Sequence, residues 1–166
     1  MHDLKQRYNP YSRLPKVRYF EGMEGLAQIY AELSENLDEC TEFLVYLRPL
    51  NISLSKQEGS WKIFKPIYEK WRKRSFASNV NERIIIPDSK EARVVKGDLD
   101  WSYNREVRIG DVKNFDFLVG ELIIAGDKVY SIAVDGDYYF GYVFENKHLA
   151  QLQRSIFEIA WVQAGI

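Results

Sequence analysis

The chain has 166 residues and a mass of 19.5 kDa, with 23 basic and 24 acidic residues, a formal net charge of −1, 46% hydrophobic residues and 14% aromatic ones. That is one domain's worth of sequence, too apolar for intrinsic disorder and long enough to bury a core. No apolar run approaches the roughly 18 residues a spanning helix needs, and Met1-His2-Asp3-Leu4-Lys5 lacks a signal peptide's apolar stretch, so a soluble, cytoplasmic protein that does not meet membrane is expected.

The scarcity of two residue types removes classes of chemistry. A lone Cys40 cannot close an internal disulfide, and His2 and His148 cannot supply a His-rich metal site, so neither metal nor cofactor is expected. His2 lies at a terminus and His148 in the first turn of a predicted surface helix, which argues against a Ser-His or Cys-His pair. Charge is unevenly placed. Glu21, Glu24, Glu32, Glu35, Asp38, Glu39 and Glu42 form an acidic run without Lys or Arg, whereas Lys62, Lys65, Lys70, Arg72, Lys73 and Arg74 form a basic one. Trp61, Phe64, Tyr68 and Trp71 recur through the basic run at helical spacing. It therefore reads as the solvated face of an amphipathic helix, with a nucleic-acid contact as the alternative.

In chain order, residues 1–15 hold Pro10 and Pro15 without periodicity and read as a leader or linker before one domain over 16–166. Lys16–Phe20 alternates as a half-buried strand, and Met23, Leu26, Ala27, Tyr30 and Leu33 predict an amphipathic helix. A strand follows at about Glu42–Leu47, ended by Pro49. Asn51–Gly59 is loop-like, and Ser60 is placed to cap the basic helix, which holds Pro66 and runs to about Ser75. Arg83-Ile84-Ile85-Ile86, closed by Pro87-Asp88, has the continuous β-branched run of a strand buried on both faces, whereas Ser89–Tyr103 supports no assignment. Glu106–Ile109 and Leu118–Ala125 are strands. Gly126-Asp127 then turns into Val129–Val134, and Asp135-Gly136-Asp137 into Tyr139–Phe144. From Asn146, Leu149, Leu152, Ile156, Phe157, Ile159, Ala160, Trp161 and Val162 describe a helix apolar on more than one side, which predicts that it is largely buried. The class is α/β, with a mixed β-sheet covered by helices on both faces.

Several phrases carry a resemblance. Pro15-Lys-Val-Arg-Tyr-Phe-Glu-Gly-Met-Glu-Gly25, then Trp71-Arg72-Lys73-Arg74, Arg83-Ile-Ile-Ile-Pro-Asp88, Arg105-Glu-Val-Arg108, Ile124-Ala-Gly-Asp-Lys-Val129 and Phe157-Glu-Ile-Ala-Trp161 resemble, in order over roughly residues 15–163, the regulatory domain of TrmB-like transcription regulators. The resemblance implies a phospholipase D-like fold. The active half-site of that fold is His-x-Lys-x4-Asp before a hairpin, and setting the motif against this hairpin puts Val119, Glu121 and Gly126 in the three places. A valine cannot attack phosphorus and a glutamate repels the phosphate that the lysine would neutralise, so a non-enzymatic domain is expected. These regulators normally carry a winged-helix domain ahead of this region. Met1–Leu14 is too short for one, so direct DNA binding by this chain alone is not expected.

The favoured function is therefore a sensor or regulatory domain that takes a small polar ligand, such as a sugar or an anion, at the carboxyl ends of the strands, with Arg83, Asp88, Glu106, Arg108 and Glu121 as candidate lining residues. In the competing structural reading, Glu106, Arg108 and Glu121 form a cross-strand charge network. The alternatives are a hydrolase pairing Glu106 with Glu121 and a nucleic-acid-associated protein using the basic helix at residues 62–74. Homodimerisation is expected through the leader, where Tyr8, Tyr11 and Leu14 are too few to bury themselves, or through a helix face.

Overall fold

The computed structural model describes residues 16–48, 58–99, 104–111, 113, 120–135 and 138–165. Seven strands form one sheet in the order β1-β7-β6-β5-β2-β3-β4: β1 (Lys16–Glu21), β2 (Glu42–Leu47), β3 (Asn81–Pro87), β4 (Arg105–Gly110), β5 (Gly120–Ala125), β6 (Lys128–Asp135) and β7 (Tyr138–Glu145). β2, β3 and β4 are mutually parallel, and every other pairing is antiparallel. The late hairpins build the antiparallel half. Gly126, at φ +57, supplies the left-handed position of the β5–β6 turn.

Among the described residues, four helices cover the sheet. On one face lie α1 (Gly22–Asn36), α2 (Glu58–Ala77) and α3 (Lys90–Leu99), and on the other lies α4 (Lys147–Gln163). Strand alternation separates two cores. Phe43, Val45, Leu47, Ile84, Ile86, Val107 and Ile123 pack against Leu26, Ile29, Tyr30 and Leu33 of α1 and Trp71 of α2, while Leu44, Tyr46, Ile85 and Ile124 meet Ala150, Phe157 and Trp161 of α4. Ile84, Ile85 and Ile86 are all buried, as the β-branched run predicts, with β2 and β4 on either side of them.

Four expectations need correction. β1 is an edge strand exposed at most positions, because it pairs only with β7. Ser89–Tyr103 contains a helix, α3, whose Ala92 is buried and whose Lys96 donates to the Val107 carbonyl. Helix α2 begins at Glu58 and extends to Ala77, so Ser60 lies within it rather than at its cap. Finally, α4 is buried along one stripe only. Ala150, Phe157 and Trp161 face the sheet, while Leu152, Ile156, Ile159 and Val162 are 54%, 45%, 64% and 80% exposed. The predicted leader, the turn residues Gly136-Asp137 and Val119 lie outside the described residues. Among those that are described, no helix is long and apolar enough to cross a membrane.

Candidate functional site

The five predicted lining residues fall into three places. Arg83, Glu106 and Arg108 lie on the face covered by α4. Arg83 donates to Glu42 (3.0 Å) and twice to Glu158 of α4 (2.9 and 2.6 Å), with its guanidinium 5.6 Å from the ring centres of both Phe157 and Trp161. The bonds to Glu158, followed by those to Glu42, raise its pKa. Arg108 donates to Glu106 and to the Trp161 carbonyl (2.8 Å), and lies 4.3 Å from the Trp161 ring. These side chains tether α4 to the sheet. Asp88, just past β3, accepts from Arg93 at the surface. Glu121 is on the opposite face. Its cross-strand neighbour is Leu47, at the carboxyl end of β2, and it is 4% exposed. Glu106 and Glu121 therefore cannot form the pair that a two-carboxylate hydrolase would need.

Glu121 belongs to a largely apolar pocket between the sheet and α2. Tyr68, Trp71, Arg72, Ser75 and Phe76 line it at helical spacing, and the sheet contributes Val45, Leu47, Ile84, Glu82, Arg105 and Glu121 around a cavity of about 30 Å³. By the measure of one buried water per ~10–15 Å³, that space holds about two waters. At one end, Glu82 and Arg105 form an ion pair with side chains 4% and 2% exposed. Arg105 donates to both Glu82 oxygens (2.8 and 3.2 Å) and to Ser75 (2.6 Å), Ser75 donates to Glu82, and the guanidinium lies 3.9 Å from the Phe76 ring centre. At the other end, Tyr30 donates to Glu121 (2.9 Å), and the rings of Tyr30, Tyr68 and Trp71 stand 5.5–6.0 Å apart.

Two features of the second end are costly to the fold. Glu121 has no Lys or Arg partner among the described residues, and burial raises its pKa to about 7 against the opposing Tyr30 hydrogen bond. The buried indole N–H of Trp71 has no acceptor there either. A buried donor left unmade is the kind of group a ligand satisfies. No cluster of three or more His, Cys, Asp or Glu able to hold a metal occurs among the described residues.

Solved structures supply the comparison. TrmBL2, described as an archaeal chromatin protein with a novel mode of DNA binding, superposes with a TM-score of 0.57 at 15% identity over 98% of this chain and 59% of its own. NucT from Helicobacter pylori gives 0.56 at 12% identity over 92% and 99% of the two chains. Nuc from Salmonella typhimurium, a phospholipase D family member, gives 0.53 at 14% identity over 91% and 97%. The chain has a TrmB-like, phospholipase D-like fold. No family model matches the sequence, and no curated protein matches it. The chain thus spans less than two thirds of TrmBL2 and nearly the full length of NucT and Nuc.

Glu121 lies on β5, and Gly126 forms the turn beyond that strand. Of the five predicted lining residues only Glu121 lies at this pocket, and its companions Glu82, Arg105, Ser75 and Trp71 were not among the five. One signal was available. Glu82 and Arg105 open two apolar strand runs with a charge whose alternation places it on the buried face.

Proposed function

We propose that this chain is a non-enzymatic regulatory domain of the TrmB-like kind, with the pocket under α2 as the seat of a small polar ligand. Glu121 carries this reading: a carboxyl without a cationic partner among the described residues, set by the resemblance where phosphodiester transfer needs a lysine, supports ligand contact rather than phosphate chemistry. Glu82 is held by Arg105 and Ser75, so it is not free to act as a second acid or base. The Trp71 N–H, without an acceptor among the described residues, supplies a donor for a carbonyl or hydroxyl oxygen, and the aromatic rings supply flat apolar walls. The cavity of about 30 Å³ takes one hydroxyl- or carbonyl-bearing arm of a sugar or another neutral polar metabolite rather than the whole molecule, and such an arm suits this lining better than an anion, which would lie against Glu121. Arg83, Glu106 and Arg108 belong to the docking of α4 in this reading, and only Glu121 of the predicted five meets the ligand.

Trp71→Phe tests it, because the substitution removes the N–H and keeps most of the ring. The variant should melt at or slightly above the wild-type temperature, since deleting an unmet buried donor is neutral or stabilising. It should also lose the thermal shift that sugars and neutral metabolites give the wild type, a shift worth about 2.7 kcal/mol at a hundredfold excess over Kd. A wild type that no sugar, polyol or nucleoside stabilises, and that turns over bis(p-nitrophenyl) phosphate, would overturn the proposal.

A further inference from the structure

Helix α4 presents an apolar stripe that none of the described residues covers. Leu149, Leu152, Ile156 and Ile159 are 37%, 54%, 45% and 64% exposed. Their spacing of three, four and three residues is that of a coiled-coil seam, narrower than the stripe a helix needs for packing on a sheet. The stripe is also free of charge. The charged residues of α4 are Lys147, Arg154 and Glu158, and the last two turn toward the sheet to meet Glu42 and Arg83. Ser155 and Gln163, between and beyond the apolar positions, are neutral.

We infer that this face docks a second copy of the chain, α4 against α4 in antiparallel array about a two-fold axis near Arg154. The occupant follows from the spacing. A three-four-three pattern reads the same from either end, so reversing one helix about its centre sets Leu149 opposite Ile159 of the second copy and Leu152 opposite Ile156, a Leu–Ile layer each time. A two-fold interface requires such self-complementarity. The charge pattern agrees. An acidic or basic partner finds no counter-charge on the stripe, whereas a second copy meets no like charge across it. Area sets the strength. The exposed apolar surface is on the order of 400 Å² per copy, so two copies bury about 800 Å², below the ~1,200 Å² of standard stable interfaces. The dimer is therefore weak and concentration-dependent. This inference rests on the stripe alone and stands or falls independently of the pocket's ligand.

Sedimentation equilibrium of the whole chain, from low to several hundred micromolar, should show a reversible monomer–dimer equilibrium. Leu152→Glu should shift it to monomer by at least tenfold in Kd while leaving the melting temperature of the dilute chain unchanged, because the position is exposed. Register is read by oxidation in a Cys40→Ser background. Leu149→Cys and Ile159→Cys should cross-link when combined in one chain. Each alone should not, because its two-fold mate stands about 15 Å away along the axis, at 1.5 Å per residue. A chain that stays monomeric throughout, a dimer that survives Leu152→Glu, or cross-linking by either single cysteine would overturn the inference.

Discussion

Glu121 holds its proton toward neutral pH because burial disfavours the carboxylate more than the Tyr30 hydroxyl supports it. Its folded pKa of about 7 exceeds the ordinary 4.5, so between those values the folded chain binds a proton that the unfolded chain has released. Stability from this group is therefore fully present below about 4.5 and is lost as pH rises through 7. Glu121→Gln keeps the shape and an acceptor for Tyr30 without the titration. It should match wild type near pH 4 and exceed it by about 3 kcal/mol at pH 8 in urea denaturation, the worth of a shift of this size. A difference that does not vary with pH would refute the assignment. Glu32 works in the opposite sense. Its pKa is lowered to about 2, first by Arg18, with Lys128 and Tyr130 adding to the effect, so its contribution is present above the ordinary carboxyl range and is lost as pH falls toward 2. Taken together, the two groups place their joint optimum near pH 4.5. Gly120 shows a different constraint. A Cβ there would stand 1.8 Å from the Ile132 carbonyl oxygen, so Gly120→Ala must move the backbone of β5 or β6 and should cost about 3 kcal/mol in chemical denaturation.

At the scale of elements, α4 is held by charges rather than by apolar area alone. Arg83 joins Glu42 of β2 to Glu158 of α4 and lies against two aromatic rings, while Arg108 donates to the Trp161 carbonyl. Replacing Arg83 with alanine strands two carboxylates and uncovers the rings. Because Arg83 is 22% exposed, water screens part of the loss, and about 2 kcal/mol is expected, with faster amide exchange confined to α4. Arg108→Ala should weaken the same docking and leave any ligand-induced thermal shift intact. A variant of unchanged stability that abolished the shift would instead place the ligand on the α4 face. On α2, the helical spacing turns Tyr68 and Trp71 inward, while Lys65, Lys70, Lys73 and Arg74 stay exposed. Lys65 pairs with Glu69 and Arg74 with Asp38.

For the molecule as a whole, the fold is shared with NucT, with a phospholipase D family member and with a DNA-binding chromatin protein, so the fold by itself assigns neither phosphodiester chemistry nor DNA binding. The resemblance sets Glu121 in the motif's lysine place, and the expectation for the first follows from that. Metal-free turnover of a chromogenic phosphodiester should be absent, and turnover that Glu121→Ala abolishes would contradict it. The net charge of −1 and the acidic run on α1 set the expectation for the second. No retardation of duplex DNA is expected at physiological salt, and a complex that dissolves in Lys73→Glu would reverse that expectation.

Local periods in the sequence determined most of the elements. The isoleucine run of β3, the Gly126-Asp127 turn and the helical spacing of Leu26, Tyr30 and Leu33 each act through neighbours a few residues away, so they are legible along the chain. Tertiary structure alone decided which face each charge meets. Glu82, Arg105 and Glu121 are drawn together by strands far apart in sequence, and a shift of one residue along any of those strands would have turned its charge to the other face. Helix α4 marks the same boundary. Its apolar excess was plain in the sequence, but burial depends on how much surface a partner offers, and this sheet offers α4 one stripe.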